Sequence, residues 1–323
     1  MTRPQSLFSR CAAVAATAAL LALPVQASAQ ASCSTEPLAL QVLGSGGPPA
    51  GDTRASTGYL IWRDGRAVVM IDAGGGTYLR FGEAGAKLED LSVLAISHLH
   101  PDHVSDLPAL LWLSEVARKR PLKIAGPSGA GPYPAFDLFL ERLFAADAGA
   151  FPVLGGMLGQ PGRGVRLDVT VVDASADTAQ RVTSDSGIEV RAIGVPHGET
   201  PSIAYRVDLD GHSIVFGSDQ TGADPTFATF ATGADLLVMH FGLSEQAGAP
   251  VANLHAKPTA VGQVAQAAKA RQLVLSHLMK APPAVPMVAW FSLFDLDQTV
   301  AEVGKHYSGP IMAATDLQCI PVR

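Results

Sequence analysis

The sequence has few aromatic residues, few charges and no excess of basic residues. Aromatic residues make up 6% of the 323 positions, which argues against a surface that stacks single-stranded nucleic-acid bases. The 23 basic and 29 acidic residues give a formal charge of −6, and no basic stripe stands out that would neutralise a phosphate backbone. Because 48% of the residues are hydrophobic and only 16% are charged, a disordered chain and a coiled coil are also excluded. With these classes excluded, the composition predicts a globular protein with a sizeable hydrophobic core.

The N-terminus has the three parts of an export signal. Two arginines provide the positive start, residues 11–23 form an apolar run, and residues 27–29 offer the small side chains of a cleavage site. The apolar run is too short to span a bilayer comfortably. We therefore predict a signal peptide over residues 1–29 and a single mature domain over residues 30–323. The mature protein is expected to be periplasmic or secreted, without stable membrane insertion.

Cysteine is scarce as well. Cys11 leaves with the signal peptide, so Cys33 and Cys319 are the two cysteines of the mature chain. In an exported protein such a pair favours a disulfide, with two unpaired thiols as the alternative. Neither residue has an activating neighbour or a ligand-like spacing, which argues against a catalytic cysteine.

The mature chain alternates short apolar strands with helices. Asp-Gly pairs at 64–65 and 210–211 each lie between two strand-like runs, which predicts two hairpins. Helical patterns cover residues 106–119 and 258–270. The order of elements predicts a mixed α/β protein whose sheets are covered by helices.

One segment, residues 127–161, is rich in glycine and proline but also carries four phenylalanines. We predict a helix over 135–146, with loops on either side. Core packing is the favoured role for most of these aromatic rings. A hydrophobic lid over a site is the alternative.

Histidines and an aspartate are concentrated in one short stretch. His98, His100, Asp102 and His103 lie within six residues, between an apolar strand and a helix. Imidazole and carboxylate ligands suit zinc, and the lack of thiolate also admits manganese or iron. A polar surface loop is the alternative, but so many clustered imidazoles would be costly there without a metal.

Three further candidate ligands stand at the ends of apolar strands. These are His197, Asp219 and His277. Any one of them alone would more often be a structural polar residue. Together with the cluster that begins at His98, they predict one shared metal centre at the edge of a sheet.

The run from His98 to His103 resembles the signature of the metallo-β-lactamase superfamily, and the likeness extends over residues 38–321. Four shorter stretches are similar to ribonuclease Z-like and arylsulfatase-like members: residues 44–46, 71–74, 124–127 and 204–206. The resemblance implies an αββα sandwich, in which two mixed sheets are flanked by helices. It also implies two metal ions at the sheet edge.

The resemblance implies a ligand set and a mechanism. One metal would be bound by His98, His100 and His197, the other by Asp102, His103 and His277, with Asp219 between them. Two Zn²⁺ ions, or Mn²⁺ or Fe, would hold a bridging hydroxide that attacks the substrate. We count Asp102 among the catalytic residues too. Asp72 is expected to orient the histidine loop, and His240 to make a hydrogen bond behind the ligands.

A further histidine points to the substrate. His255 resembles a residue that contacts substrate in phosphoester-cleaving members, although Ala256 and Lys257 replace the usual hydroxyl residues. We predict that His255 is catalytic, and that the protein is an exported dinuclear hydrolase of phosphodiesters or related small anionic esters. An arylsulfatase or a lactone hydrolase is the alternative, followed by a non-catalytic metal-binding protein.

Two departures from the family narrow the expected substrates. Only 21 residues separate His197 from Asp219, where ribonuclease Z proper has a long arm for transfer RNA. Together with export and the acidic charge, this spacing predicts that transfer RNA is not a partner. True β-lactamases usually lack an aspartate at the position of Asp219, which argues against antibiotic hydrolysis. The oligomeric state stays open, with a homodimer as one alternative.

Overall fold

The computed structural model describes residues 33–50, 53–112, 114–280 and 296–323. The predicted signal peptide lies outside these residues. Within them, no helix combines the length and the apolar character that crossing a membrane requires.

Strands make up most of the regular structure of the described residues. They are β1 (Leu38–Gly44), β2 (Gly46–Ala50), β3 (Gly58–Arg63), β4 (Arg66–Ile71), β5 (Val93–Ala95), β6 (Leu122–Pro127), β7 (Leu167–Val172), β8 (Gln180–Asp185), β9 (Ile188–Val195), β10 (Ser202–Leu209), β11 (His212–Phe216), β12 (Leu236–His240), β13 (Gln272–Ser276), β14 (Leu278–Lys280), β15 (Ile311–Ala313) and β16 (Cys319–Pro321). The helices are α1 (Thr77–Glu83), α2 (Pro101–Val104), α3 (Leu107–Leu111), α4 (Ser114–Ala117), α5 (Phe136–Phe144), α6 (Pro225–Phe230), α7 (Pro258–Ala267) and α8 (Leu296–Gly304).

Two seven-stranded sheets contain most of these strands. The first has the order β16-β1-β3-β4-β5-β6-β7, and the second has the order β15-β13-β12-β11-β10-β9-β8. Both are mixed: β1 pairs with β3 antiparallel and β4 with β5 parallel, while β10 pairs with β11 antiparallel and β11 with β12 parallel. A small parallel pair, β2 with β14, completes the pattern.

Alternation along the strands explains the layers. In β1, Leu40 and Val42 join the core between the two sheets, whereas Ala39 and Leu43 join the core beneath the helices of the first sheet. A strand directs successive side chains to opposite faces, so a strand buried on both faces supplies two cores. The second sheet behaves in the same way and packs its outer face on α6 and α7. The predicted αββα sandwich of two mixed sheets is confirmed.

Both predicted hairpins form where the Asp-Gly pairs stand. Asp64 and Gly65 have φ of 49° and 77°, and Asp210 and Gly211 have φ of 51° and 82°. Two consecutive left-handed residues match the right-handed twist of the flanking strands, and aspartate and glycine tolerate that conformation. These turns connect β3 to β4 and β10 to β11.

The predicted helix over 106–119 is split into α3 and α4. Contacts with neighbouring loops hold the second piece: Ser114 Oγ accepts a hydrogen bond from the Val165 backbone N–H, and Arg118 Nη1 donates to the carbonyls of Leu88 and Leu91. These contacts fix α4 against the chain segments that precede β5 and β7.

A disulfide joins the two ends of the described domain. Cys33 is bonded to Cys319, with 5.4 Å between their Cα atoms. The register of β16 on β1, in which Cys319 lies opposite Gln41, brings the C-terminal strand next to the start of the domain. The favoured disulfide is thus confirmed.

Candidate metal centre

The predicted site residues meet at one edge of the two sheets. His98 follows β5 in the first sheet, whereas His197, Asp219 and His277 follow β9, β11 and β13 in the second. These four side chains are 0–1% exposed. Strand ends are rigid supports for functional side chains. Here the strand ends of both sheets bring ionisable side chains together at one edge of the sandwich.

One group of donor atoms gathers around His100. Its Nδ1 lies 3.0 Å from His98 Nε2 and 3.3 Å from His197 Nε2. Asp219 Oδ2 lies 3.7 Å from His98 Nε2 and 3.6 Å from His197 Nε2. These four residues form a group that fits around one metal ion.

A second group gathers on the other side of Asp219. His277 Nε2 lies 3.1 Å from Asp102 Oδ2 and 3.4 Å from Asp219 Oδ1. His103 Nε2 lies 3.5 Å from Asp102 Oδ2 and 3.6 Å from Asp219 Oδ2. All seven predicted residues thus lie around the Asp219 carboxylate. The second group that fits around one ion contains His103, Asp219, His240 and His277, but not Asp102, so the ligand role of Asp102 stays a prediction.

The donor sets fit divalent metal ions. A tetrahedral ion with bonds of about 2.0–2.1 Å to nitrogen needs donor atoms about 3.3–3.4 Å apart, which is close to the separations found here. His103 Nε2 is buried and makes no hydrogen bond. A buried nitrogen that faces two carboxylates without a hydrogen bond is costly unless a cation lies between them. Nitrogen and oxygen donors without sulfur match zinc, manganese or iron.

The electrostatics of the site favour cation binding. Burial is the main reason that the pKa of His98 lies well below its ordinary value, and the nearby imidazoles of His103 and His197 lower it further. A neutral imidazole is the form that binds metal. Burial alone would raise the pKa of Asp102, but the charges of His103 and His277 outweigh it and lower that pKa to about 2.

His103 behaves differently from His98. Burial lowers its pKa, but the carboxylates of Asp102, Asp72 and Asp219 outweigh that effect and raise the pKa well above the ordinary value. A proton therefore competes with a metal ion for this imidazole. Burial likewise opposes ionisation of Asp219, yet the surrounding histidines, first among them His277, hold its pKa well below its usual range.

Asp72 fixes the histidine loop, as predicted. Its carboxylate accepts hydrogen bonds from the Ser97 backbone N–H at 2.7 Å and from Ser97 Oγ at 2.8 Å. It also accepts from His103 Nδ1 at 2.9 Å, which leaves Nε2 of that ring facing the centre. Carboxylates behind histidine ligands commonly fix the ring in this way.

His240 supports Asp219 from behind. Its Nδ1 donates to Asp219 Oδ1 at 2.6 Å, and Tyr59 Oη donates to its Nε2 at 3.3 Å. Both ring nitrogens therefore have partners, in agreement with the predicted hydrogen-bonding role. The ring also lies close enough to His103, Asp219 and His277 to belong to the second donor group. Burial lowers the pKa of His240 to about 4, so the ring is neutral at neutral pH.

His255 reaches the centre without joining either donor group. Its Nδ1 lies 3.7 Å from Asp219 Oδ2, and its ring centre is 5.2 Å from that of His197 and 5.7 Å from that of His277. Burial lowers its pKa to about 3. The fold thus returns His255 to the sheet edge, while its catalytic role stays a prediction.

Two hydroxyl residues at the centre were missed by sequence reasoning. Tyr133 Oη and Thr200 Oγ1 lie 3.3 Å and 3.2 Å from His100 Nε2. Tyr133 belongs to the glycine- and proline-rich segment after β6, and Thr200 stands three residues after His197. Their positions depend on loop conformations, which no periodic pattern reports. A cavity of about 590 Å³, lined in part by His197 and Thr200, flanks this side of the centre.

Comparison with known proteins places this geometry in a family. Residues 67–278 match the family described as Beta-lactamase superfamily domain. Ribonuclease Z of Mycobacterium bovis (strain BCG / Pasteur 1173P2) is 25% identical over 297 residues, covering 88% of this chain and 98% of its own.

Solved structures agree on the fold. The short form of human tRNase Z has a TM-score of 0.66 at 20% identity, over 88% of this chain and 99% of its own. A metallo-beta-lactamase fold protein from Bacillus subtilis, YhfI, has a TM-score of 0.65 at 19% identity, over 88% of this chain and 98% of its own.

The expectation that transfer RNA is not a partner is wrong on this evidence. Relatives named Ribonuclease Z match 88% of the chain, and the human neighbour is a tRNase Z. The 21-residue spacing between His197 and Asp219 reflects the short hairpin of β10 and β11 at one place in the sheet. A local loop length and a net charge do not separate this chain from those relatives.

The family match spans the strands that deliver the ligands, from β4 to the start of β14, and includes the histidine loop. It therefore coincides with the part of the fold that builds the centre. This chain belongs to the beta-lactamase superfamily, as a metal-dependent hydrolase of ester bonds.

Proposed function

We propose that this protein is an exported phosphodiesterase that uses two divalent metal ions, with zinc as the preferred metal. One observation carries the proposal: two groups of buried donor atoms share the carboxylate of Asp219. A single shared carboxylate between two sets of imidazoles is suited to holding a pair of dications close together.

The proposed ligands are the predicted set; Asp102 takes the place of His240, whose two ring nitrogens already have hydrogen-bond partners. His98 Nε2, His100 Nδ1 and His197 Nε2 would bind one ion, and His103 Nε2, His277 Nε2 and Asp102 Oδ2 the other. Asp219 would bind both, since it lies 3.4–3.7 Å from donor atoms of each group. Paired ions supply a nucleophile derived from water at neutral pH and stabilise charge on the substrate.

The remaining chemistry belongs to the protein's own side chains. Asp102 and Asp219 keep their negative charge inside the site, so they offset the charge of the bound cations. His255, neutral in its buried position, would donate an N–H to an anionic oxygen of the substrate and assist the departing group. No side-chain nucleophile is required.

The substrate class is a phosphodiester. Support comes from the relatives named Ribonuclease Z, whose match covers 88% of this chain. The cavity beside His197 and Thr200, at about 590 Å³, falls within the range of small-molecule sites. The proposed substrates include both small phosphodiesters and RNA.

An ester panel tests the proposal. Purified zinc-loaded protein would be assayed with bis-p-nitrophenyl phosphate, p-nitrophenyl sulfate, an acyl lactone and a precursor transfer RNA. We expect turnover of a phosphodiester that is abolished by chelation and restored by Zn²⁺. Turnover confined to the sulfate or the lactone would contradict the proposal in favour of an arylsulfatase or a lactone hydrolase. Two bound metals with no turnover of any ester would favour a metal-binding protein.

Export is supported by the disulfide between Cys33 and Cys319. Disulfides persist in oxidising compartments, so the bond fits a periplasmic or secreted protein. N-terminal sequencing of the protein from native cells tests this point. A mature chain that begins near Gln30 is expected, and a mature chain that begins at Met1 would overturn the export proposal.

A further inference from the structure

The second nitrogen of His100 faces two hydroxyls from separate loops, whereas that of His98 faces the single hydroxyl of its neighbour Ser97 at 3.2 Å. Nδ1 of His100 faces His98 and His197, whereas its Nε2 faces the hydroxyls of Tyr133 and Thr200 at 3.3 Å and 3.2 Å. By contrast, Nδ1 of His197 donates to the Leu254 carbonyl at 2.7 Å. A carbonyl is a fixed acceptor, while a hydroxyl rotates and both donates and accepts.

The two hydroxyls come from opposite halves of the sandwich. Tyr133 follows β6 of the first sheet, and a pair of backbone hydrogen bonds with Ala130, at 2.9 Å and 3.1 Å, closes its loop. Thr200 follows β9 of the second sheet, and its N–H donates to the His197 carbonyl at 3.1 Å. Backbone hydrogen bonds within its own loop thus fix the position of each residue.

The protonation of His100 follows from this arrangement. To bind a cation through Nδ1, the ring must carry its proton on Nε2. That proton then needs an acceptor, because a half-buried N–H without one is penalised. Tyr133 and Thr200 each offer an oxygen at hydrogen-bond distance.

We infer that Tyr133 and Thr200 are positioning residues that hold His100 in the tautomer whose Nδ1 is free for a metal ion. The inference rests on the proposed ligand role of His100. The two hydroxyls are interchangeable acceptors, because Nε2–H carries one proton and either oxygen can take it. Loss of one hydroxyl leaves the other in place, so their contributions are not additive.

Metal affinity tests this inference without any assay of turnover. Tyr133→Phe, Thr200→Val and the double variant would be titrated with Zn²⁺ against a chromophoric chelator, after circular dichroism has verified folding. We expect each single variant to weaken binding less than about threefold. The double variant should bind one of the two ions about 10–100-fold more weakly, which is the usual effect of removing groups that hydrogen-bond to a metal ligand.

Matched controls isolate the hydroxyls. Tyr78→Phe alters an exposed tyrosine that is 47% accessible, and Thr226→Val removes a hydroxyl with no hydrogen-bond partner among the described residues. Neither control should change zinc affinity. Combined with Tyr133→Phe, Thr200→Ser should bind zinc about as tightly as Tyr133→Phe alone, because serine keeps the acceptor that valine removes.

Two results would overturn the inference in distinguishable ways. A folded double variant that binds both ions as tightly as the wild type would refute the role of the hydroxyls and leave the metal centre standing. A wild-type protein that binds no zinc would refute the proposed function and this inference with it. A Co²⁺-substituted sample adds a second readout, since the visible spectrum of one ion should change only in the double variant.

Discussion

At the residue scale, the metal centre depends on close approaches that only small residues permit. A Cβ at Gly47 would lie 2.8 Å from His277 Nδ1 and Cε1, and 2.7 Å from Met279 Cγ. His277 is fully buried, so the ring has little room to move away. Gly47 thus forms part of the wall that sets the direction of His277 Nε2.

We predict that Gly47→Ala lowers the affinity of the protein for one of the two metal ions. The added methyl group displaces His277, and a shifted ligand should cost about tenfold in zinc affinity. Competition with a chelator measures the change. Gly82→Ala is the control, because a Cβ there has no atom within 4 Å. Unchanged affinity in Gly47→Ala would show that the ring adapts.

His255 gives a second prediction at this scale. His255→Ala should keep both metals and the fold but lose about 10²–10⁴-fold in turnover of phosphodiesters. The loss should be smaller with good leaving groups, which need little help from an N–H donor. Rates on p-nitrophenyl and alkyl esters, measured beside metal content, check this. Loss of metal would make His255 a ligand, and unchanged rates would make it a bystander.

Much of the site at this scale was predictable from sequence. His197, Asp219 and His277 each end an apolar strand, and strand ends are reliable supports for a site. Tyr133 and Thr200 escaped prediction because their approach to His100 depends on two loops that come from different sheets. No pattern within one segment encodes such a contact.

At the element scale, the sequence predicts best where one local rule decides the structure. The hairpins at 64–65 and 210–211 form because Asp-Gly suits two left-handed residues. The strand β8 was not predicted, since its sequence, Gln-Arg-Val-Thr-Ser-Asp, is polar and it lies at the edge of the sheet. The small strands β2 and β14 were likewise missed, because their pairing joins distant parts of the chain.

The segment over 127–161 contributes mainly to the core. Helix α5 directs Phe136, Leu140 and Phe144 into the core beneath the first sheet, while Phe151 stays 41% exposed. Core packing, the favoured interpretation, is therefore confirmed for the helix. The Phe136 ring lies directly over β6, since a Cβ at Gly126 would come within 2.3 Å of it.

We predict that Phe136→Ala destabilises the fold without altering the ligands. Removing a fully buried ring should lower the free energy of unfolding by about 3–5 kcal/mol. Urea denaturation measures this loss. Phe151→Ala, at the exposed ring, should change stability by less than about 1 kcal/mol. If the two variants were equally stable, the segment would not be part of the core.

At the scale of the whole molecule, two features tie the halves of the chain together. The disulfide links the start of the described domain to its last strand, across a separation of 286 residues. A bond that closes so long a loop restricts the unfolded chain strongly. The metal centre is the second link, because its ligands come from both sheets.

We predict that Cys33→Ser lowers the free energy of unfolding by about 2–5 kcal/mol. Zinc binding should be unaffected, since neither cysteine belongs to a donor group. Denaturation of the wild type with and without a reductant provides the same comparison in one protein. A reduced protein as stable as the oxidised one would show that strand pairing alone holds the ends.

The shared carboxylate of Asp219 is the central claim, and metal content measures it most directly. Wild type, Asp219→Ala and Asp219→Asn would be loaded with Zn²⁺, dialysed and analysed by elemental mass spectrometry; the Asn variant keeps the shape and an oxygen for His240. The wild type should retain about two zinc ions per chain. Without a carboxylate between them the two dications repel one another, so both variants should lose zinc from both positions and should lose turnover. Asp147→Ala, at an exposed aspartate in the turn after α5, is the control and should keep both ions. If a folded Asp219 variant retained two tightly bound ions and normal turnover, the dinuclear account would be contradicted.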